Sequence, residues 1–388
     1  MLIIPEVEIW NFNLRHLRAA VAIGRSGSIS AAAQGIHISQ PAITQGIAKL
    51  EAQLGQPLFE RRTDGMIPTE AGKLFFPRIE AALAQIASPR VTMTQLRALV
   101  AVARAGSYSE ASAMTGLAQP SLHRAVGDLT VALKRKLVER RGKGVALTEQ
   151  GRRTARRFRL ARAELEAGLS ELTALLGRET GQITVGAMPL SRARILPAAV
   201  AAFHRSHPDI KINIVEGAFH ELIEPLRDGD IDLMIGALRD PSPGPDIRQQ
   251  PLFEDRPVVI GRKDHPAANH EASLETLAQF PWIIPAAGTP LRDGWRHMFE
   301  ARSIPLPEVP IECGSVITIR QILIESDFLT LLSPDQVAVE LEAGWLAKIA
   351  EIPKGFIRNI GMTTRTDWRP TAMQASFVAL LEPLSKSA

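Results

Sequence analysis

The chain is short of what secreted, membrane-bound and catalytic proteins need. It has one cysteine, Cys313, in 388 residues, so no internal disulfide can form and no thiolate cluster can ligate a metal. No run of apolar residues reaches the roughly 18 that a membrane span requires. The opening residues, MLIIPEVEIWNFN, lack a basic start and place Pro5, Glu6 and Glu8 where a signal peptide must be apolar, so no export signal is expected and a cytoplasmic location is. There is no glycine-rich phosphate loop, nucleophile elbow or zinc motif; His204 and His207, three apart before Pro208 and without an acidic partner at ligand spacing, read as a helix end. No catalytic residue, metal or cofactor is expected, and the chain does not read as an enzyme.

What is present is an ordinary globular composition, 45% hydrophobic and 22% charged, and enough length for two or three domains. The net charge of +4 hides a gradient. Residues 1–180 carry 25 Lys and Arg against 15 Asp and Glu, whereas residues 181–388 carry 20 against 26. A basic half joined to a mildly acidic one fits a polyanion-binding module fused to a small-molecule module.

The basic half repeats itself. At an offset of 79, the stretch from Leu14 to Gly72 aligns without a gap on the stretch from Met93 to Gly151, so that SQPAITQGIAKLE answers to AQPSLHRAVGDLT. Leu17 meets Leu96, Ser28 meets Ser107, Gln40 and Pro41 meet Gln119 and Pro120, and Arg61 and Arg62 meet Arg140 and Arg141. A match of that length is a duplicated domain, and two copies are too few for a solenoid.

Each copy predicts the same elements. A helix from Leu14 to Arg25 carries Leu17, Ala20, Val21 and Gly24 at three- and four-residue steps. Ser28 is placed to cap a second helix, and Ser39 to cap a third whose first turn holds Pro41. The third helix buries Ile43, Ile47, Leu50 and Leu54 and turns Gln40, Thr44 and Gln45 outward; two short strands around Asp64-Gly65 follow. Three helices and a hairpin make a winged helix-turn-helix, whose third helix enters the major groove of duplex DNA. Ser39, Gln40, Pro41, Thr44 and Gln45 are the candidate contacts in copy one, and Gln119, Ser121, His123 and Arg124 in copy two. Glutamine suits adenine and arginine suits guanine. On the wings, Arg61, Arg62, Arg140, Arg141 and Lys143 are placed for phosphate. An arginine pair after a strand is commonplace; the conjunction of features, repeated twice, is not.

The domains expected are a first winged helix over 12–88, a second over 92–150, a linker helix over 151–177 and an α/β region over 181–388. The linker carries an apolar stripe that includes Phe158, Leu165, Leu169 and Leu172, and it is expected to pack on the same helix of a second chain. After Gly181 strands alternate with helices, as in a mostly parallel sheet covered on both faces. Two lobes are expected, one over 181–256 and 356–388, the other over 257–355, with a ligand cleft at the carboxyl ends of their strands. Met188, Pro189, Leu190, Ser191 and Arg192 follow the first strand; Thr289 and Pro290 follow another, Cys313 and Ser315 a third, and Arg239 stands nearby. Helix N-termini there favour an anionic or carboxylate-bearing ligand.

These residues resemble the LysR-type transcriptional regulators. The family's winged helix carries a pattern similar to SQPAITQGIAKLEAQLGQPLFERR and LTEAG, from which copy one departs at Pro68 and copy two, reading LTEQG, only slightly; GDIDLMIG, RKDHP and TRTDW resemble its effector domain. The resemblance implies a two-lobed effector domain like a periplasmic binding protein, with effector contacts at Ser191, Thr289 and Ser315. It also implies promoter DNA, a small organic effector, RNA polymerase and further copies of the chain, as homodimer or homotetramer, as partners. The family ordinarily has one winged helix, and this chain has two. The competing reading is a cytoplasmic small-molecule-binding adaptor whose winged helices mediate protein contacts.

Overall fold

The computed structural model describes residues 7–382 except 64, 143, 179, 270, 271 and 353–355. Two compact units divide the chain at Gly181, with Asp228–Asp230 grouped with the first. Among the described residues no helix is long and apolar enough to cross a membrane.

The first unit is the repeat. Copy one comprises α1 (Leu14–Ser26), α2 (Ile29–Ile36), α3 (Gln40–Leu54), β1 (Phe59–Arg62), β2 (Gly65–Pro68) and α4 (Glu70–Ile86). Copy two comprises α5 (Met93–Ala105), α6 (Tyr108–Thr115), α7 (Gln119–Leu133), β3 (Val138–Arg141), β4 (Gly144–Leu147) and α8 (Glu149–Leu175). The same local devices set both. Gly27 and Gly106 end the first helices in the left-handed region, at φ 66° and 71°, which glycine adopts without a Cβ penalty. Their carbonyls then accept the N–H of Met66 and of Val145, tying each wing to its helical body. Ser28 and Ser107 cap α2 and α6 through the N–H groups of Ala31 and Glu110. Ser39 and Ala118 hold the equivalent position before α3 and α7, and neither makes a side-chain cap bond, so the capping expected of Ser39 does not occur.

The linker departs from expectation. The apolar stripe of α8, expected to meet a second chain, is covered by α4 of the same chain. The pair runs antiparallel: Phe75 packs on Gly168, Arg157 Nη2 donates to the Ala84 carbonyl at 2.7 Å, and Gln56 Nε2 donates to the Leu172 carbonyl at 3.3 Å. A β-carbon at Gly168 would stand 2.6 Å from Phe75 Cδ2, so the glycine lets the helices approach. Phe75, Ile79, Phe158, Leu165 and Leu172 are buried in a core continuous with both copies. Each phenylalanine buried there stabilises the pairing by about 1.5–3 kcal/mol. Helix α4 begins one loop after the wing and carries its own stripe, so it reaches α8 before any second chain need do so.

In the second unit, β5 (Gln182–Ala187), α9 (Ile195–Ser206), β6 (Lys211–Glu216), α10 (Phe219–Asp228), β7 (Leu233–Ala237) and β8 (Ile247–Asp255) are followed by β9 (Val258–Arg262), α11 (Leu274–Leu277), β10 (Trp282–Ile284) and α12 (Pro290–Glu300). Then come β11 (Ile311–Glu312), α13 (Val316–Ile324), β12 (Leu329–Leu332), α14 (Ala338–Glu342), β13 (Leu346–Glu351), β14 (Arg358–Arg365) and α15 (Ala372–Ala379). They form two five-stranded sheets, ordered β6-β5-β7-β14-β8 and β11-β10-β12-β9-β13. Each is mixed rather than mostly parallel, because β14 runs antiparallel to β7 and β8, and β9 antiparallel to β12 and β13. In the GDIDLMIG segment, burial pushes the Asp232 carboxyl up to about 6, against the downward pull of the Thr184 N–H, Arg365 and Gln374.

Candidate nucleic-acid interface and effector cavity

Helix α3 presents Gln40, Pro41 and Gln45 to solvent beside Ser39, with Thr44 partly covered. Thr44 Oγ1 donates to the Gln40 carbonyl at 3.0 Å, and Gln40 Nε2 donates to Ser30 Oγ at 3.0 Å, so both side chains are held before any duplex arrives. Helix α7 exposes Gln119, Ser121, His123 and Arg124. The His123 ring stacks on Tyr108 with centroids 3.6 Å apart, which fixes an imidazole at the surface where copy one has Thr44. Among the described residues no acidic side chain pairs with Arg124.

The wing cations Arg61, Arg62, Arg140 and Arg141 are all exposed, and Arg62 reaches Glu60 at 3.0 Å. Lys143 lies outside the described residues. Copy two adds an exposed run, Lys134, Arg135 and Lys136, where copy one has Gly55, Gln56 and Pro57. Lys134 takes the left-handed helix-ending conformation at φ 52° that Gly55 takes at 70°.

The second unit encloses a cavity of about 330 Å³. Met188, Pro189 and Leu190 after β5 line it, with Arg239 after β7 and Thr289 and Pro290 after β10; Cys313 after β11 completes the expected residues found there. Gly288, Thr289 and Pro290 open α12, and Gly314 and Val316 flank the start of α13, so two helix N-termini border an otherwise largely apolar space.

Three expected residues do not line it. Ser191 is fully buried and its hydroxyl donates to the Met188 carbonyl at 2.8 Å, because the chain turns through a short 3₁₀ segment there. Arg192 is paired with Glu216. Ser315 Oγ caps α13 by accepting from the Thr318 N–H. The sequence reading missed Phe219 and His220, which follow β6 and line the cavity; the rule applied to the strand before them, that residues after a strand's carboxyl end face the cleft, would have found them.

Arg239 is the one expected residue with unspent polar capacity. Its backbone N–H and carbonyl are clamped by the Gln249 amide, at 2.8 Å each, and its guanidinium lies 4.5 Å over the Phe219 ring. Among the described residues Nη1 is buried without a hydrogen-bond partner. Burial lowers the basicity of this guanidinium, with Asp293 pulling the other way. The residue lines the cavity, where its positive charge would complement an anionic ligand.

Comparison with known proteins agrees with this geometry. The model described as "Bacterial regulatory helix-turn-helix protein, lysR family" matches twice, over 14–73 and 93–152, and "LysR substrate binding domain" matches 176–384. The HTH-type transcriptional regulator GalR of Pseudomonas putida is 31% identical over 367 residues, covering 91% of this chain and 92% of its own. That coverage leaves fewer residues unmatched than one copy occupies. The SDS degradation transcriptional activation protein of a Pseudomonas species is 28% identical over 264 residues, covering 67% of this chain and 85% of its own. Among solved structures, ArgP from Mycobacterium tuberculosis matches with TM-score 0.59 at 18% identity over 75% of this chain and 96% of its own. A full-length variant of OxyR from Pseudomonas aeruginosa matches with TM-score 0.55 at 22% identity over 76% of this chain and 94% of its own. At such identities both show the fold alone.

Proposed function

Because the chain belongs to the LysR family of transcriptional regulators, DNA-binding proteins with an effector-binding domain, we propose that its cavity takes a small organic anion and that occupancy alters its grip on promoter DNA. The Arg239 guanidinium, in the cavity lining with two helix N-termini, carries the choice of ligand class. The anionic group would take that donor beside the α12 and α13 N-termini, and the ligand's apolar body would pack among Met188, Leu190 and Phe219. Thr289 and Cys313 would supply further contacts. Candidate groove contacts remain those of α3 and α7, and candidate phosphate contacts those of the wings.

Such a regulator works in the cytoplasm, where its DNA is, alongside RNA polymerase. It carries no reaction of its own. Self-association as homodimer or homotetramer would use surfaces other than the α8 stripe, which α4 covers. The adaptor reading finds no support in the helix-turn-helix matches. Coupling requires that the effector bind more tightly to one DNA-gripping arrangement than to the other.

A thermal-shift screen of carboxylates against neutral isosteres tests the proposal. At least one carboxylate should raise Tm in the wild type and lose that effect in Arg239→Ala, and it should also change the DNA footprint. Stabilisation only by neutral compounds, or an unchanged shift in the variant, would refute the anion reading. A saturating ligand that leaves the footprint untouched would refute the coupling.

A further inference from the structure

A regulator with one reading module must recruit a second chain to meet two half-sites, and because the two chains are identical the halves tend to be identical too. Here both modules and the contact that joins them lie in one chain. The contact is reciprocal across the repeat. Arg78 of α4 reaches Glu164 of α8, and its counterpart 79 residues on, Arg157 of α8, reaches Ala84 of α4, one residue from the counterpart of Glu164. Residue i meeting j while the counterpart of i meets a neighbour of the counterpart of j is the mark of a local twofold axis. A core continuous with both copies surrounds it.

The scaffold obeys that axis, and beyond the shared Gln40-Pro41 and Gln119-Pro120 the reading faces do not. Thr44 answers to His123, Gln45 to Arg124, and Lys49 to Asp128. Glutamine matches the donor and acceptor edge of adenine, and arginine the paired acceptors of guanine. Copy two also keeps three cations at 134–136 where copy one has none, so phosphate grip differs as well.

We propose that one chain grips a complete two-half DNA element whose halves are unlike, one read at an adenine by Gln45 and the other at a guanine by Arg124. This rests on the DNA-binding reading above. Helices α3 and α7 act as the two heads of a dimer folded into a single polypeptide, so the element lacks dyad symmetry.

Selection of the full-length chain on random duplexes, followed by trimming to the shortest duplex still shifted and native mass measurement of that complex, tests it. The expected result is one chain on a duplex with two unlike halves. Arg124→Ala should lower discrimination about tenfold or more at base pairs of one half only, and Gln45→Ala at base pairs of the other. Both side chains are exposed, so the fold is not at stake. A minimal duplex with dyad symmetry carrying two chains, or variants that each relax both halves alike, would overturn the proposal while leaving DNA binding intact. No enriched sequence at all would sink the DNA-binding reading, and this proposal with it.

Discussion

Beneath each wing the two copies are nearly interchangeable. Thr69 and Thr148 each cap the following helix through the N–H of a glycine three residues on, Gly72 or Gly151, and each donates its hydroxyl to the carbonyl of residue 57 or 136. A β-carbon on Gly72 would stand 2.4 Å from the Leu58 carbonyl oxygen, and one on Gly151 only 1.9 Å from that of Leu137. On α3 and α7 the surface match ends after the shared Gln-Pro pair: buried Ile43 answers to buried Leu122, but exposed Gln45 answers to exposed Arg124. The constraint that repeats is backbone packing, which a substitution breaks; the positions that differ are those that folding leaves free and a ligand can use.

The helix pair shows the same split, and substitutions can press on it. Arg78 is 7% exposed and bonds Glu164 and Glu171, themselves 18% and 14% exposed, whereas its counterpart Arg157 is exposed and bonds only a backbone carbonyl among the described residues. Arg78→Ala should cost about 3 kcal/mol, because two poorly hydrated carboxylates lose their cation. Arg157→Ala should cost under about 1 kcal/mol. Urea unfolding of both variants checks this, and equal losses would mean that the pair is not asymmetric.

The wing glycines should behave oppositely. Gly72→Ala and Gly151→Ala should each destabilise by about 2 kcal/mol, since a carbonyl oxygen must move in both. A loss at one and not the other would break the equivalence of the scaffolds. A smaller effect is expected at the end of α7, where Lys134→Gly relieves a left-handed non-glycine residue and should stabilise by up to about 1 kcal/mol. The same change should weaken DNA binding and flatten its salt dependence by the loss of one cation.

The smallest effect concerns acid. Burial, and then Lys49, hold the His16 imidazole below its ordinary value of 6.5, where copy two has the uncharged Gln95. The unfolded chain therefore binds this proton more tightly than the folded one. Stability conferred by neutral His16 is complete above that value and is lost as pH falls from it toward the lower folded value. His16→Gln, which makes copy one resemble copy two, should retain, as pH falls below about 6.5, stability that the wild type loses. Parallel pH profiles for the two proteins would contradict this.

The repeat made the helical half legible, because a gapless offset transfers every assignment from one copy to the other. The pairing of α4 with α8 was not read, since an apolar stripe says that something must cover it and not what. The matching stripe of Phe75, Phe76, Ile79 and Ala82 was present, as was Arg78 opposite Glu164 and Glu171, but only three-dimensional register brings them together. In the effector half the alternation of strands with helices is readable, whereas the strands β8 and β13 and the direction of β9 and β14 are not. Strand β9 is a short apolar run and β14 is buried along most of its length, and buried segments look alike whichever way they run. A serine after a strand reads the same whether its hydroxyl meets a ligand or, as at Ser191, the carbonyl three residues back.

The claim that α4 and α8 pair within one chain can be tested directly by a cross-link in a mixed-isotope sample. With Phe75→Cys and Gly168→Cys in a Cys313→Ser background, ¹⁴N- and ¹⁵N-labelled chains would be mixed unfolded, refolded together and oxidised. Linked peptides carrying a single label throughout are expected. Linked peptides that combine the two labels would show α4 of one chain lying on α8 of another, and would contradict the account.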